Sequence, residues 1–318
     1  SEMCIRDRWG RHRLDLVRFA ETNSYGRDGR KPNAWRYRDY VIRAFNDDKP
    51  YDRFLREQLA GDEMPDGGAD GIIATGYYRL GIWDDEPTDR EQARYDGLDD
   101  IVATTGQVFL GLTFDCARCH DHKIDPIPQK DYYRLVSFFH NINHYRNGGP
   151  TDEVLIETDP AGRRAYEDRV RTREQKREEL QAALTAFETD FGKLYEQMRG
   201  RRVEASEVSR LARAEGAKLL GAERFKRYAE QRRELQTLMR AKVAGEMALC
   251  VTEAGSHAPD TFVLIRGNAH VKGDKVAPAF PVILGGGQPV VPTPPPSAKT
   301  TGRRLALANW IASPDNPM

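Results

Sequence analysis

The sequence predicts a mainly α-helical protein that ends in a truncated mixed α/β segment. Three observations carry this. Apolar residues recur at spacings of three and four, as in "DREQARYDGLDDIVATTGQVFLGLTF". β-branched residues gather instead after Asp260, in "DTFVLIRGNAHV". Gly- and Pro-rich punctuation falls mostly between the periodic stretches.

The expected domains are a helical domain over 9–157, a charged helical hairpin over 158–245, and the beginning of a second domain over 246–318. Ser1–Arg8, "SEMCIRDR", resembles translated sequencing-adapter sequence and is set aside, together with Cys4. The end, "SPDNPM", follows a helix-like stretch with no closing element. The expectation is an internal fragment whose export signal, if any, lies upstream.

Element by element, "RLDLVRFAE" places Leu14, Val17 and Phe19 near one face. "SYGRDGRKPN" reads as a loop. "AWRYRDYVIRAFN" is a second helix with Trp35, Tyr40, Val41 and Phe45 as core, and "PYDRFLREQLAGD" a third, stopped by Gly61. "MPDGGADG" reads as a turn. Leu98, Ile101, Val102, Thr105, Phe109 and Leu112 make an amphipathic helix that delivers the chain to Cys116. After Pro128, "KDYYRLVSFFHNI" starts another, with Tyr132, Val136 and Phe139 on one face.

Asp159-Pro160 suits an N-cap followed by Pro at the first helical position. Leu180, Leu184, Phe187, Phe191, Leu194 and Met198 form a coiled-coil-like seam, interrupted at "RGRRVEAS", so an antiparallel hairpin acting as a spacer is expected. Pairs such as Glu167 with Arg171 and Glu223 with Arg227 suit solvated faces. Beyond the β-rich stretch, the Pro run "PTPPP" predicts polyproline II, and "GRRLALANWIAS" a short helix before Pro314. Gly285–Gly287 lacks the GK[ST] and the strand–loop–helix frame of a phosphate loop.

Lys plus Arg and Asp plus Glu each number 49, so no net field draws the chain to nucleic acid. No apolar run approaches the ~18 residues of a membrane span. With Cys4 set aside, Cys116, Cys119 and Cys250 remain, which is no disulfide framework. Cys250, in "MALCVTEAG", reads as a buried small hydrophobe.

"CARCHDHKIDP" carries the chemistry. Cys116-x-x-Cys119-His120 has the spacing of c-type haem attachment: two thiols for two vinyl groups, then an imidazole for the iron. A sixth ligand could come from His140, His144 or Met64, whereas His122 is too close in sequence to reach the opposite haem face. A zinc reading takes Cys116, Cys119, His140 and His144 as four tetrahedral ligands, with a central gap of twenty residues that is long for such sites. A catalytic zinc or iron reading takes His120, Asp121, His122 and Asp125, although neighbours in a tight turn rarely all face one ion. Asp121 and Asp125 read more simply as acceptors for His N–H groups or as turn-formers.

The segments "YRDYVIRAFNDDKPYDRFLREQLAGD", "DDIVATTGQVFLGLTFDCARCHDHKIDPIPQKDYY" and "GRRLALANWIASPDNP" are similar to large secreted planctomycete-type proteins. Those combine a cytochrome-C-like domain, a CxxCH-bearing domain of unknown function and a further C-terminal domain of unknown function. The resemblance runs from Trp9 onward and is loosest over about 160–245. It implies export, haem c on Cys116, Cys119 and His120, and a system linked to polysaccharide breakdown, but no established reaction. The expectation is an extracytoplasmic c-type cytochrome-like protein passing electrons to a redox partner protein. The alternative is a haem-free zinc- or iron-binding structural or hydrolytic module.

Overall fold

The computed structural model describes residues 2–145, 153–157, 159–293 and 299–318. Within them the protein is mainly α-helical, with ten α-helices and four short strands. The polyproline expectation over 294–296 lies outside the described residues. Two compact units form: residues 1–156 with 246–318, and residues 157–245.

The first unit begins with α1 (Glu2–Leu16), α2 (Ala34–Asn46) and α3 (Tyr51–Ala60). The "MPDGGADG" stretch is not merely a turn: α4 (Gly68–Ala74) starts inside it and runs on into a 3₁₀ turn at Thr75–Arg79. Next come α5 (Arg90–Thr105), α6 (Gln129–Phe139) and strand β1 (Glu153–Leu155). β1 pairs antiparallel with β2 (Met247–Leu249), and β3 (Thr261–Leu264) with β4 (Lys272–Val276). The sequence concealed β1 and β2, because three-residue strands are too short to show alternation.

The core is rich in tyrosine, and several of the buried hydroxyls find an acceptor or partner, as burial of a polar tip requires. Tyr40 donates to Glu57 (2.8 Å), Tyr78 to the Leu59 carbonyl (2.7 Å), and Tyr77 meets Thr105 (2.9 Å). Of the residues expected in the core, Tyr40 and Val41 are fully buried and Phe45 is half-buried, whereas Trp35 is 41% exposed.

Residues 246–318, read from sequence as the start of a further domain, pack with 1–156 as one unit. The reason is electrostatic as well as apolar. The last helix of the chain (Arg303–Ile311) carries Arg304, which is fully buried among carboxylates. Its guanidinium lies 2.7 Å from Asp62, 3.1 Å from Glu63 and 2.8 Å from Glu253. Such a cluster tolerates burial only because every charge is paired or hydrogen-bonded.

The second unit comprises α7 (Pro160–Arg199), α8 (Ala205–Leu220) and α9 (Ala222–Arg240). Asp159 caps α7 by accepting from the Gly162 N–H (2.9 Å), as the Asp-Pro pair predicts. The returning arm of the expected hairpin is two helices, because Gly221 (φ 91°, ψ 153°) breaks it. Such a conformation is open to glycine and closed to most other residues. Arg173 bonds the Leu238 carbonyl and Arg224 bonds Asp190, so α7 and α9 run antiparallel. The seam is buried at Leu180, Phe187 and Phe191, with Phe187 stacked on Tyr228 at 4.3 Å, but Met198 at its far end is exposed. Arg171 pairs with Asp168 rather than Glu167.

Candidate functional site: the Cys116–His120 turn

Asp89 caps α5 by accepting from the Gln92 N–H at 3.0 Å. The amphipathic pattern continues past Thr105, but the helix does not deliver the chain directly to Cys116. It widens into a π turn over Gly106–Leu110 and ends at left-handed Gly111. A 3₁₀ turn then covers Asp115–Arg118, with Cys119 still in the helical region.

A 3₁₀ turn has three residues per turn, so positions three apart stack on one face. Phe114 and Ala117 are buried and hold the turn on the core, whereas Cys116 and Cys119 both face solvent as free thiols. The two-residue gap between the cysteines is thus one turn of tight helix, with both sulfurs on the exposed side.

Arg118 fastens this turn from within. Its guanidinium reaches Asp96 (2.5 Å) and Asp99 (3.2 Å) on α5. Its carbonyl accepts from Gln129 Nε2 and from the Tyr133 hydroxyl, both at 2.8 Å, on α6. The same Gln129 amide also donates to the Leu264 carbonyl at 3.0 Å, which brings the β3 end to the site. Burial raises the Asp99 pKa, against the pull of the Tyr132 hydroxyl and Arg118.

The two histidines of the motif differ. His120 is exposed, and its Nδ1 lies 2.7 Å from the Asp121 carbonyl. A carbonyl only accepts, so Nδ1 carries the proton and the neutral ring keeps its lone pair on Nε2, the arrangement of a metal-ligating histidine. His122 is oriented the other way. Its Nδ1 accepts from the Asp125 N–H (2.8 Å) and the Ile124 N–H (3.3 Å), and its backbone N–H donates to Ile127 (2.9 Å). It ties the loop together. Asp121 accepts from the Gln129 N–H at 2.8 Å and so serves the start of α6, while the Asp125 carboxylate stands 3.5 Å from His122 Nδ1.

His140 and His144 do not share a helical face, because α6 ends at Phe139. His140 is buried beside Tyr95, with Nδ1 2.8 Å from the Thr261 hydroxyl. Burial, then Arg94 and Arg303, push its pKa down to about 4. His144 packs against Tyr145, and burial followed by Arg79 brings it to about 4 as well. Met64 lies in the turn between α3 and α4. Among the described residues, no three His, Cys, Asp or Glu side chains converge as a metal-binding group. The tetrad Cys116, Cys119, His140, His144 is therefore not assembled, and neither is the cluster of His120, Asp121, His122 and Asp125.

Sequence reasoning missed Arg118 and Gln129. Arg118 stands between the cysteines and Gln129 at the α6 start, so their positions were visible, but their partners lie far along the chain.

Fold and site together define a mainly α-helical domain that presents an exposed Cys-x-x-Cys-His turn. Residues 4–144, less than half of the chain but including the whole turn, match the family model PSCyt2, described as a protein of unknown function (DUF1549). No curated protein and no solved structure matches the chain.

Proposed function

We propose that the chain is an extracytoplasmic c-type cytochrome-like protein that holds haem c through Cys116 and Cys119, with His120 as axial ligand. The observation that carries this reading is the exposed face of the 3₁₀ turn, where both free thiols stand beside a histidine whose Nδ1 is tied to the Asp121 carbonyl. Each thiol S–H would add across one vinyl C=C, with sulfur bonded to carbon, the proton taken up by the neighbouring carbon, and no atom lost. His120 would offer Nε2. Haem held there supplies one-electron storage.

The chain's own residues fit that task. Arg118 keeps the turn fixed to α5 and α6, so the two sulfurs hold their spacing. Exposed Ile124 and Ile265 lie in the segments flanking the turn and offer apolar contact. His122 braces the loop without competing for the ligand position. Exposed Asp115 and Asp121 flank the motif, and this open, polar setting favours the oxidised, more positive iron and a low potential. Export follows from the reading, because c-type haem is attached outside the cytoplasm.

The test is a reduced-minus-oxidised spectrum and a potentiometric titration of the chain from Trp9 onward, expressed with a c-haem maturation system. A sharp reduced α-band with a negative midpoint potential supports the reading. A strongly positive midpoint overturns the exposed, low-potential site, and a haem-free protein carrying one zinc or iron overturns haem.

A further inference from the structure

A separate cavity of about 370 Å³ opens beside α1, α2 and α3. Trp9, Leu16 and Tyr51, each more than half exposed, stand at its mouth, while Phe54 and Arg13 are buried in its lining. Arg13 is the unusual member. It is 6% exposed, yet its Nη2 donates to a neutral acceptor, the Gln58 amide oxygen (2.8 Å), and its Nε has no partner. The guanidinium carbon sits over the rings of Phe109 (4.6 Å) and Phe54 (5.4 Å). Among the described residues it forms no ion pair. Lys49, also in the lining, is already paired with Glu57 (2.5 Å) and Asp70 (3.4 Å).

A buried cation without a counter-ion is costly, and ring faces offset only part of that cost. A guanidinium without a counter-ion in the lining of an aromatic-walled cavity matches the recognition of a single carboxylate on a flat, apolar body. A doubly charged phosphate would meet an acidic neighbour, Asp48, in the lining. We infer that this cavity binds a small aromatic monocarboxylate, its carboxylate on Arg13 and its ring against Trp9 and Tyr51. The inference is independent of haem.

The test is calorimetric titration of the whole chain with 2-naphthoate and with the neutral 2-naphthamide. The expected result is 1:1 binding of the carboxylate, about tenfold or more tighter than the amide. Arg13→Gln should abolish that preference, and the surface variants Trp9→Ala and Tyr51→Ala, which leave the core intact, should weaken 2-naphthoate binding. If Arg13→Gln fails to fold, the two surface variants and the carboxylate-to-amide ratio still decide. No binding of 2-naphthoate at millimolar concentration, equal affinity for the two probes, or wild-type affinity in both surface variants would overturn the inference.

Discussion

Gly267 lies against Cys119, 148 positions away in the sequence. A Cβ built on the glycine would stand 2.8 Å from the thiol sulfur and 3.3 Å from Cγ of Arg118. The glycine also has φ +70° and follows Arg266 at φ 53°, in a tight turn closed by the Asn268 N–H to the Ile265 carbonyl (3.1 Å). The β3–β4 connection thus forms a wall beside the candidate attachment site, and only glycine satisfies both the dihedral and the contact.

Gly267→Ala should therefore cost about 1–2 kcal/mol for the left-handed backbone alone, and should also displace Cys119. Gly285→Ala is the control: φ is +93° but nothing lies within 4 Å of its Cβ position. Urea unfolding should show both losing stability, with haem loading per chain falling only in Gly267→Ala. Equal loading in the two would remove the wall's role.

The opposed orientations of His120 and His122 make them separable. His120→Ala should abolish the axial-imidazole spectrum with little loss of stability, because the ring is exposed and bonds only its neighbour's carbonyl. His122→Ala should keep the spectrum while lowering stability by about 1 kcal/mol, through loss of the bond from the Asp125 N–H. The reverse pattern, read by absorption spectra and denaturant midpoints, would exchange their roles.

Arg304 holds the final helix to the turn after α3 through Asp62 and Glu63, and to the segment after β2 through Glu253, so Arg304→Met should destabilise by about 3–5 kcal/mol by leaving buried charges unpaired. Burial pushes Glu63 up to about 7, with Arg304 opposing and Glu253 adding to the rise. Its carboxyl ordinarily titrates at 4.5, so between 4.5 and 7 the unfolded chain binds fewer protons than the folded one. Stability from this group is then lost as pH rises across that window. Glu253 goes the other way: burial alone would raise its pKa, but Arg304 and Asn141 hold it net low. Comparing wild type with Glu63→Gln isolates the first slope. An unchanged dependence of melting temperature on pH would contradict it.

His140 and His144 should titrate near 4 rather than 6.5. Both folded values are depressed, so the unfolded chain binds more protons between 6.5 and 4, and stability falls as pH drops through that window. Imidazole NMR titration checks this directly. Rings that protonate near 6.5 in the folded protein would show that they are not held neutral by burial.

The helical character was legible because its signal is local. Spacings of three and four over "DDIVATTGQVF" and "DYYRLVSFF" state which faces seek the core, and Tyr132, Val136 and Phe139 are indeed buried. What escaped is non-local or short. Gly221 splitting the returning arm looks in sequence like any helical glycine, and Trp35 sits on the right helix but on its open side. The motif residues Cys116, Cys119 and His120 could be named at once, yet the ties that shape their turn could not. Arg118 reaches back to Asp96 and Asp99, and Gln129 bonds Leu264 across 135 positions. Such pairings depend on the packed fold, which no periodicity records. The opposite proton positions on His120 and His122 likewise follow from which backbone groups each ring meets.

The most direct measurement is the intact mass, under denaturing conditions, of wild type and Cys116→Ala/Cys119→Ala matured side by side in a c-haem-competent host. Covalent attachment at the exposed turn predicts one haem increment in the wild type and none in the double variant. A wild-type mass equal to the bare polypeptide, with correctly folded protein in hand, would contradict haem attachment at Cys116 and Cys119.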